Sequence, residues 1–564
     1  MNLIKGANVN KLERLVYVPL GGAGEIGMNM YLYGFGPPGK ENYIMIDAGV
    51  TFPEAENSPG VNLIMPDDTF IKNNLNRLVG IFISHAHEDH VGAVATLYGA
   101  ENIPIFSRKF TGQIIRQKLQ NLGYDDKQLN IVDTFPEKIK LKEFEVSFIP
   151  IPHSIPESSA LLIETKVGNI IHSGDFKIDD TPIIGDSIDY DLFERLNKEK
   201  FLALMCDSTN VFSKHPGRSE SLLHSGFDKL FKSSNGLIVA TTFASNLARL
   251  KTIATAAKMN GREVCVLGRA MNAMIKAANE VNLLEDGFPN TISPKEARKL
   301  PRSKLLILAT GSQGEKRAAS AQLSKDGYMN FQLGDGDTFV FSSKTIPGNE
   351  IAVTAVVNRL VDLGVRVIYE GNDDFHVSGH PNEPDLTKMH EIINAKAVIP
   401  IHGEARHLKA HYELARQNGY DSLVVQNGTM IEIDKNGLRF IEKVECGRLF
   451  LDGSCLISSN SKHMSDRLMM AQNGLCCVSI LIDENNNAFD SVWVKSIGLP
   501  SIEMDYDVDE VLEQTLNDNF EKSDNINLAD DDAIESFIKF HISKKLIKEL
   551  DKRPLIQVLI SRIE

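Results

Sequence analysis

Residues 81–90 read Ile-Phe-Ile-Ser-His-Ala-His-Glu-Asp-His and place three histidines and two acids at the end of an apolar run. The apolar residues predict a buried strand that ends in a turn. Because alternate side chains of an extended backbone point to the same face, His85 and His87 can hold one metal ion. Asp89 and His90, on the turn that follows, can reach a second ion. The segment therefore predicts a centre with two metal ions.

A two-metal centre needs further ligands, and three more polar residues stand in similar positions. His153, Asp175 and His402 each come just after an apolar, strand-like run. Loops at strand ends commonly line functional clefts, so we expect these side chains to converge on the same centre. The predicted metal ligands are His85, His87, Asp89, His90, His153, Asp175 and His402.

Two other polar residues lie at the ends of predicted strands. Asp47 ends the apolar run 43–46. We expect its carboxylate to orient a ligand histidine from behind, with a simple turn residue as the alternative. His172 is on the same predicted strand as Asp175 but three residues away, so it should face differently, and we expect it to be structural.

These residues resemble the His-x-His-x-Asp-His signature of the metallo-β-lactamase fold. An acid and two histidines further along the chain resemble the additional motifs of the β-CASP nucleases, with Asp207, His380 and His402 in the three positions. The segments 20–30, 309–315 and 346–350 are similar to bacterial ribonuclease J. The resemblance runs from about residue 15 to about residue 455.

The resemblance implies an α/β fold: a metallo-β-lactamase αββα sandwich with an inserted α/β β-CASP domain and a small C-terminal α+β domain. Short β-rich runs change to alternating helices and strands after about residue 212, which supports an insertion at that point. The expected parts are 1–212 and 372–440 for the sandwich, 213–371 for the β-CASP domain, 441–455 for a linker and 456–564 for the C-terminal domain.

The resemblance also implies a ribonuclease of RNA maturation and decay. Its expected cofactors are two divalent ions, zinc first, with manganese or magnesium as alternatives. His380, oriented by Asp207, is the expected general acid. The residues expected to bind a substrate phosphate are His376, Val377, Ser378, Gly379 and His380. Cleavage is expected 5′ to 3′ from 5′-monophosphorylated ends, and also within the RNA.

Three alternatives stay open at this point. The chain could be a purely endonucleolytic RNA-processing enzyme. A small-molecule hydrolase of the same fold would use the metal segment but has no need of Asp207, His380 or a large insert. A non-catalytic RNA-binding subunit would be expected to lack some of the seven ligands, and all seven are present.

The net charge of −15 is unusual for a protein that binds RNA. Between Glu503 and Glu535, 13 acids stand against Lys522 alone, which leaves about −3 for the remaining chain. Binding needs a local positive groove and not a basic total. The candidate side chains for that groove are Lys177, Arg269, Lys316, Arg317, Lys344 and Arg406.

At 564 residues the chain is long enough for about three domains. Residues 1–14 do not resemble a signal peptide and no apolar run reaches membrane-spanning length, so we expect a cytoplasmic protein without membrane contact. The six cysteines show no Cys-x-x-Cys pair and are expected to be core thiols. RNA is the expected partner, and the resemblance implies a homodimer or homotetramer and RNA-decay protein partners.

Overall fold

The computed structural model describes residues 13–54, 56–198, 200–284, 287–325, 327–369, 371, 374–485, 492–501, 507–523 and 526–563. The chain divides into two compact units, one of Met1–Thr51 and Met65–Gly447 and another of Phe52–Ile64 and Arg448–Glu564. The acids at 503, 505 and 524, which contribute to the predicted negative stretch, lie outside the described residues. Within the described ranges, every helix is too short or too polar to cross a membrane.

The first unit begins with thirteen strands and five helices. The strands are β1 (Arg14–Gly21), β2 (Ala23–Gly24), β3 (Met30–Gly36), β4 (Asn42–Ile46), β5 (Leu63–Pro66, at the boundary of the two units), β6 (Leu78–Ile83), β7 (Ile105–Ser107), β8 (Leu129–Ile131), β9 (Ile139–Leu141), β10 (Phe144–Pro150), β11 (Ser159–Glu164), β12 (Asn169–His172) and β13 (Ala203–Asp207). The helices are α1 (Thr69–Lys72), α2 (Glu88–Val91), α3 (Val94–Tyr98), α4 (Lys109–Asn121) and α5 (Tyr190–Leu196).

An inserted region and the return to the sandwich follow. The insert contains α6 (Leu223–Ser233), β14 (Ile238–Thr241), α7 (Leu247–Met259), β15 (Glu263–Leu267), α8 (Arg269–Glu280), α9 (Pro294–Ala297), β16 (Leu305–Ala309), α10 (Ala319–Leu323), β17 (Thr338–Phe341), α11 (Glu350–Asp362) and β18 (Arg366–Ile368). The return contains α12 (Glu383–Ile393), β19 (Ala397–Ile401), β20 (Gly403–Glu404), α13 (Ala405–Gln417), β21 (Asp421–Ser422), β22 (Thr429–Asp434) and β23 (Gly437–Lys443). Short 3-10 turns occur at Leu75–Arg77, Glu220–Leu222 and Arg302–Lys304.

Two large sheets form the sandwich. One has eight strands in the order β23-β22-β1-β3-β4-β6-β7-β8, and the other has seven in the order β21-β19-β13-β12-β11-β10-β9. Apolar side chains of both sheets share one buried core, as Tyr33 and Phe82 from the first sheet and Phe148 and Met205 from the second illustrate. A second core fills the space between the seven-stranded sheet and α5, α12 and α13. The expected sandwich is confirmed.

The insert is a parallel α/β layer with its own core. Its five strands pair in parallel in the order β15-β16-β14-β17-β18. The insert leaves the sandwich after β13 and returns before β19, and these two strands are parallel neighbours in the same sheet, with Asp207 opposite Ile401. The chain between them can therefore form a separate layer without disturbing the pairing of the sandwich.

The second unit has an α+β core of its own. Its later elements are β24 (Arg448–Asp452), β25 (Cys455–Ser458), α14 (Lys462–Asn473), β26 (Leu475–Ile482), β27 (Trp493–Ile497), α15 (Val508–Glu521), α16 (Asp531–Leu550) and β28 (Leu555–Arg562). The strands of its main sheet are ordered β27-β26-β28, and alternate residues of β26 are fully buried against apolar residues of α15 and α16.

Two expectations for this region need correction. Residues 448–452, expected to be linker, form β24 and pair with β25, because Leu449, Phe450 and Leu451 supply an apolar edge. The expected core location holds for Cys206, Cys265 and Cys476, whereas Cys446 and Cys455 are exposed. All six cysteines are free thiols.

Candidate metal centre

The ends of parallel strands bring the predicted ligands together. Asp175 comes shortly after β12, Asp207 ends β13 and His402 follows β19, and these three strands run parallel and side by side. Parallel strands present their carboxyl ends at one edge of a sheet. In the facing sheet, β4 and β6 are also parallel and lead into Asp47 and His85. The fold therefore gathers distant segments at one edge.

Two of these residues have unusual backbone angles. Asp47 has a φ of 61° and His402 a φ of 48°, both in the left-handed region that residues other than glycine rarely adopt. Such conformations cost about 1–3 kcal/mol each and persist where surrounding contacts hold them. Both lie directly after a strand, so the sharp turn directs their side chains to the sheet edge.

One group of possible ligand atoms is formed by His85, His87, His153 and Asp175. The Nδ1 atom of His87 lies 3.1 Å from His85 Nε2 and 3.2 Å from His153 Nε2. The Asp175 Oδ2 atom lies 3.9 Å from His85 Nε2 and 3.8 Å from His153 Nε2. Three imidazole nitrogens and a carboxylate oxygen around one point are a donor set suited to a zinc or manganese ion.

A second group is formed by Asp89, His90, Asp175 and His402. Asp175 Oδ2 lies 3.2 Å from His90 Nε2, and Asp175 Oδ1 lies 2.7 Å from His402 Nδ1. Asp89 Oδ2 lies 3.6 Å from His90 Nε2 and 3.4 Å from His402 Nε2. Asp175 belongs to both groups, so its two oxygens can face two different ions. All seven predicted ligands thus lie in two adjoining groups.

The charges of the two groups differ. Burial lowers the pKa of His87 to about 4 and also holds the pKa values of His85 and His153 below the ordinary range. These imidazoles are neutral at pH 7, which is the form that binds a metal. Burial alone would also lower the pKa of His402, but Asp175 and Asp89 outweigh it and raise that pKa to about 10. The second group therefore attracts positive charge, which a divalent ion can supply in place of the proton.

Hydrogen bonds from behind hold several of these rings. The Asp47 carboxylate lies 2.7 Å from His90 Nδ1 and accepts hydrogen bonds from the backbone N–H and hydroxyl of Ser84, both at 2.8 Å. The hydroxyl of Ser245, which belongs to the insert, lies 3.1 Å from His87 Nε2. The Gly379 carbonyl lies 2.6 Å from His153 Nδ1 and accepts its proton. Each contact leaves the other ring nitrogen free to face the centre.

Sequence reasoning did not identify Asn29 as part of the centre. Its amide nitrogen lies 3.0 Å from His90 Nε2 and 3.3 Å from His402 Nε2, and its oxygen accepts a hydrogen bond of 2.7 Å from the Tyr31 hydroxyl. Its sequence signals were its position inside a glycine-rich turn and inside the segment 20–30 that resembles ribonuclease J. His172 lies outside both groups and contacts the Tyr33 hydroxyl at 2.9 Å, in keeping with a structural role.

A third group connects Asp207 and His380 to this centre. The Asp207 carboxylate lies 2.8 Å from His380 Nδ1, and Asp207 is fully buried whereas 26% of the His380 side chain is exposed. Asp175 Oδ2 lies 3.9 Å from His380 Nδ1. His380 therefore has one ring edge fixed by an acid and lies beside the metal ligands, where a substrate can reach it.

The segment 376–380 is held in place by the insert. The Arg249 guanidinium, which is buried, donates a hydrogen bond of 3.1 Å to the Val377 carbonyl and lies 3.4 Å from His376 Nδ1. It also pairs with Glu220. The Ser378 hydroxyl accepts a hydrogen bond of 3.1 Å from the backbone N–H of His380. The predicted phosphate loop is thus a buttressed turn.

One of the basic residues expected to line a groove, Lys177, is not exposed. Lys177 is buried, pairs with Asp179 at 3.2 Å and donates to the Arg218 carbonyl at 2.9 Å, so its charge is already matched. The other candidates are exposed: Arg269, Lys316, Arg317, Lys344 and Arg406. A further buried group, Cys206, His390 and His411, was not predicted, and its two rings contact each other at 2.9 Å.

Four protein families match consecutive parts of the chain. Residues 24–205 match the metallo-beta-lactamase superfamily, and residues 364–425 match a Zn-dependent metallo-hydrolase RNA specificity domain. Residues 235–360 match the ribonuclease J beta-CASP domain, and residues 462–563 match the ribonuclease J C-terminal domain. The matches confirm the expected fold class, including the C-terminal domain.

Similar proteins from several bacteria are named ribonuclease J or ribonuclease J2. Ribonuclease J of Sinorhizobium meliloti is 38% identical over 510 residues, which cover 90% of this chain and 89% of that protein. Ribonuclease J of Helicobacter pylori is 31% identical and covers 97% of this chain and 80% of its own length. Ribonuclease J2 of Bacillus subtilis is 30% identical and covers 84% of each chain.

A solved structure supports the fold alone. A protein of unknown function from Enterococcus faecalis matches with a TM-score of 0.52 and 17% identity, over 74% of this chain and 100% of that chain. The family matches and the long alignments agree with the motifs from which the resemblance was inferred. The chain belongs to the ribonuclease J family.

Proposed function

We propose that this metal-dependent ribonuclease cleaves RNA 5′ to 3′ from 5′-monophosphorylated ends, and also internally, by hydrolysis that uses two divalent ions. The observation that carries the proposal is the convergence of seven possible ligands with the Asp207–His380 pair at one sheet edge. The proposed hydrolysis uses both features. The metal ligands would hold the ions that activate water, and the Asp207–His380 pair would protonate the leaving oxygen.

The ligands divide between two ions in this proposal. His85, His87 and His153 would hold one ion, and Asp89, His90 and His402 the other, with Asp175 shared. Asp47 would orient His90 through the contact at 2.7 Å. When bound, two such ions supply a water of lowered pKa and neutralise charge on the scissile phosphate. The nitrogen-rich donor set favours zinc, with manganese or magnesium as alternatives.

His380 would deliver the proton. Its Nδ1 atom faces Asp207, which leaves Nε2 for the 3′ oxygen that departs when the phosphodiester breaks. Asp207 stabilises the protonated imidazole and fixes the ring. Such a general acid contributes typically about 10² to 10⁴ in rate. Replacement of His380 by alanine should therefore slow the reaction less when the leaving group is a good one.

The loop 376–379 would bind the 5′ phosphate. His376, Ser378 and the backbone N–H of Gly379 have the donors for it, and Arg249 holds the loop from behind. Gly379 also touches His153, because its carbonyl accepts the ring proton. A phosphate bound there lies close to the metal ligands, which leaves room for about one nucleotide and favours stepwise removal.

The experiment that tests this proposal uses RNA labelled at either end and carrying a 5′ triphosphate, monophosphate or hydroxyl. We expect mononucleotides released from the 5′ end of the monophosphorylated RNA, with slow attack on the triphosphate. Asp175→Ala protein is the matched control for contaminating nucleases. Release of mononucleotides from the 3′ end, or equal rates with all three 5′ groups, would contradict the proposed direction.

Cellular context forms a separate part of the proposal. We propose a cytoplasmic enzyme that assembles as a homodimer or homotetramer and acts with RNA-decay proteins, as members of its family would. Light scattering of the purified chain measures the assembly state, and a monomer at micromolar concentration would contradict it.

A further inference from the structure

Phe212 is an exposed aromatic side chain close to the candidate active site. It lies five residues after Asp207, and its side chain is 49% exposed. The turn that carries it is fixed by hydrogen bonds from Val211 N–H to the Ser208 carbonyl at 3.2 Å and from Ser213 N–H to the Asn210 carbonyl at 3.0 Å. The ring is therefore presented to solvent by an ordered turn.

Arg406 covers this ring. Its guanidinium carbon lies 5.7 Å from the centroid of the Phe212 ring, and its Nε donates a hydrogen bond of 2.7 Å to the Glu404 carboxylate. The His407 ring supports Phe212 from another side, with centroids 5.1 Å apart. The Arg406 side chain is nevertheless 62% exposed. A guanidinium plane is thus held over an aromatic ring with much of its surface open.

The pair flanks both histidines that approach the reacting atoms. The Thr209 hydroxyl, three residues before Phe212, donates to Asp207 at 2.6 Å and lies 3.2 Å from the His402 carbonyl oxygen. Asn210 contacts Asn382, which is two residues after His380. Arg406 lies four residues after His402 in the sequence. The pair therefore lies on segments that also carry Asp207 and His402 and that contact a neighbour of His380.

The chemistry of the pair fits a nucleobase. Every base has a flat π surface that stacks on aromatic rings and on guanidinium planes, without regard to sequence. Arg406 is already oriented by Glu404 and Phe212, so little side-chain freedom is lost when a base stacks on it. A phosphate would instead need only the positive charge of Arg406 and would gain nothing from Phe212.

We propose that Phe212 and Arg406 form a stacking platform for the base of a nucleotide next to the scissile phosphate. The platform rests on the proposed ribonuclease function, because it deepens how that site holds RNA. It adds a contact to the base, whereas the loop at 376–379 contacts the phosphate. It also gives binding strength that does not depend on sequence.

The test compares kcat/KM on a short 5′-monophosphorylated RNA for Phe212→Ala, Phe212→Trp, Arg406→Ala and Arg406→Lys. Loss of one stacked base should lower the value by roughly five- to a hundredfold in each alanine variant. Phe212→Trp should stay near wild type, and Arg406→Lys should remain impaired because lysine lacks the flat surface. Matched controls are Phe440→Ala and Arg416→Ala, which remove another exposed phenylalanine and an arginine paired with Asp421.

Abasic RNA makes the test independent of folding. We prepare the same RNA without the base at the first or at the second nucleotide. At one of these positions, the missing base should lower kcat/KM of the wild-type protein by a similar factor. On that abasic RNA, Phe212→Ala should lose little more, since the base that would stack on the platform is already absent. The platform would be wrong if the loss from Phe212→Ala multiplied the loss from the missing base at both nucleotide positions. Full activity of Arg406→Lys would also overturn it.

Failure of the proposed function would look different. If the wild-type protein did not cleave the intact RNA at all, the ribonuclease proposal itself would fail. If wild type cleaved the RNA normally and both alanine variants matched it, only the stacking platform would be wrong.

Discussion

The contact between Asp207 and His380 sets the protonation state of the proposed general acid. Burial by itself lowers the pKa of His380, but the charge and hydrogen bond of Asp207, helped by Asp175, raise it above its ordinary value. A general acid must carry its proton to act. The raised pKa therefore keeps His380 competent to a higher pH than an ordinary histidine would be.

Replacement of Asp207 by asparagine should move the alkaline limit of activity. Without the carboxylate the pKa of His380 falls, so the fraction of protonated His380 declines at a lower pH than in the wild type. We expect the descending limb of the kcat profile to shift to lower pH, with bound metal unchanged. A profile that keeps its shape while the rate falls uniformly would indicate that Asp207 only supports the fold.

The convergence of the seven candidate ligands was predictable because each is a polar residue just after an apolar, strand-like run. The groups that hydrogen-bond to the ligand histidines from behind were predictable only in part. Asp47 follows the same pattern, whereas Ser245 reaches the centre from the insert, and the Gly379 carbonyl has no side-chain signal at all. Contacts of that kind depend on how distant segments pack, which a local pattern does not contain.

The short helix α2 carries Asp89 and His90 and lies against residues 48–50. Backbone N–H groups of Ala48 and Val50 donate to the carbonyls of His90 and Glu88 at 2.8 and 3.0 Å. A Cβ atom on Gly49 would lie 1.7 Å from the Asp89 carbonyl oxygen. The helix can approach this closely only because residue 49 has no side chain.

Gly49→Ala should therefore displace α2 and weaken metal binding. We expect a loss of bound metal and of RNA cleavage, with a destabilisation of about 1–3 kcal/mol typical of overpacking. Metal analysis and urea unfolding measure the two effects. Gly334→Ala is the control, since its nearest neighbouring atom would be 3.9 Å away. Full metal content and activity in Gly49→Ala would show that α2 does not need this close contact.

The insert contributes Arg249, which connects helix α7 to the loop at 376–379. Its side chain is 1% exposed and pairs with Glu220, and it also donates to the Ser342 carbonyl at 2.7 Å. Buried ion pairs are costly to break singly, because the remaining charge stays buried without a partner.

Arg249→Met should destabilise the first unit by roughly 3–5 kcal/mol and raise KM for 5′-monophosphorylated RNA. Adding Glu220→Gln to this variant should restore part of the stability, since no uncompensated carboxylate then remains. Urea unfolding measures the stability. Lys232→Met, which removes an exposed ion pair with Asp228, should have no measurable effect. Equal midpoints for wild type and Arg249→Met would contradict this account.

Secondary structure was predictable where the pattern was long. The apolar periodicity over 351–363 and 271–281 predicts helices, and these correspond to α11 and α8 within one or two residues at each end. Residues 91–99 are helix-like in sequence, but only α3 lies within them; α2 ends at Val91, and Gly92 and Ala93 separate the two short helices. Strand β14 is not predictable in this way, because its apolar run of four residues cannot be distinguished from a helical segment by periodicity.

Across the whole molecule, charge is distributed unevenly. The acids at 503–535 belong to the second unit, in so far as the structure describes them, whereas the proposed metal ligands belong to the first. Two divalent ions would add about four positive charges to the centre. Exposed basic residues of the first unit, including Arg269, Lys316 and Lys344, can add to this local field.

The proposed two-metal centre is tested most directly by titrating metal-free protein with zinc or manganese while RNA hydrolysis is recorded. Activity should rise until about two ions are bound per chain and then saturate, because the two adjoining donor groups would share Asp175. Asp175→Ala should stay folded and inactive at every metal concentration. Full activity with one ion per chain, or near-normal turnover by Asp175→Ala with two ions bound, would contradict the two-metal centre.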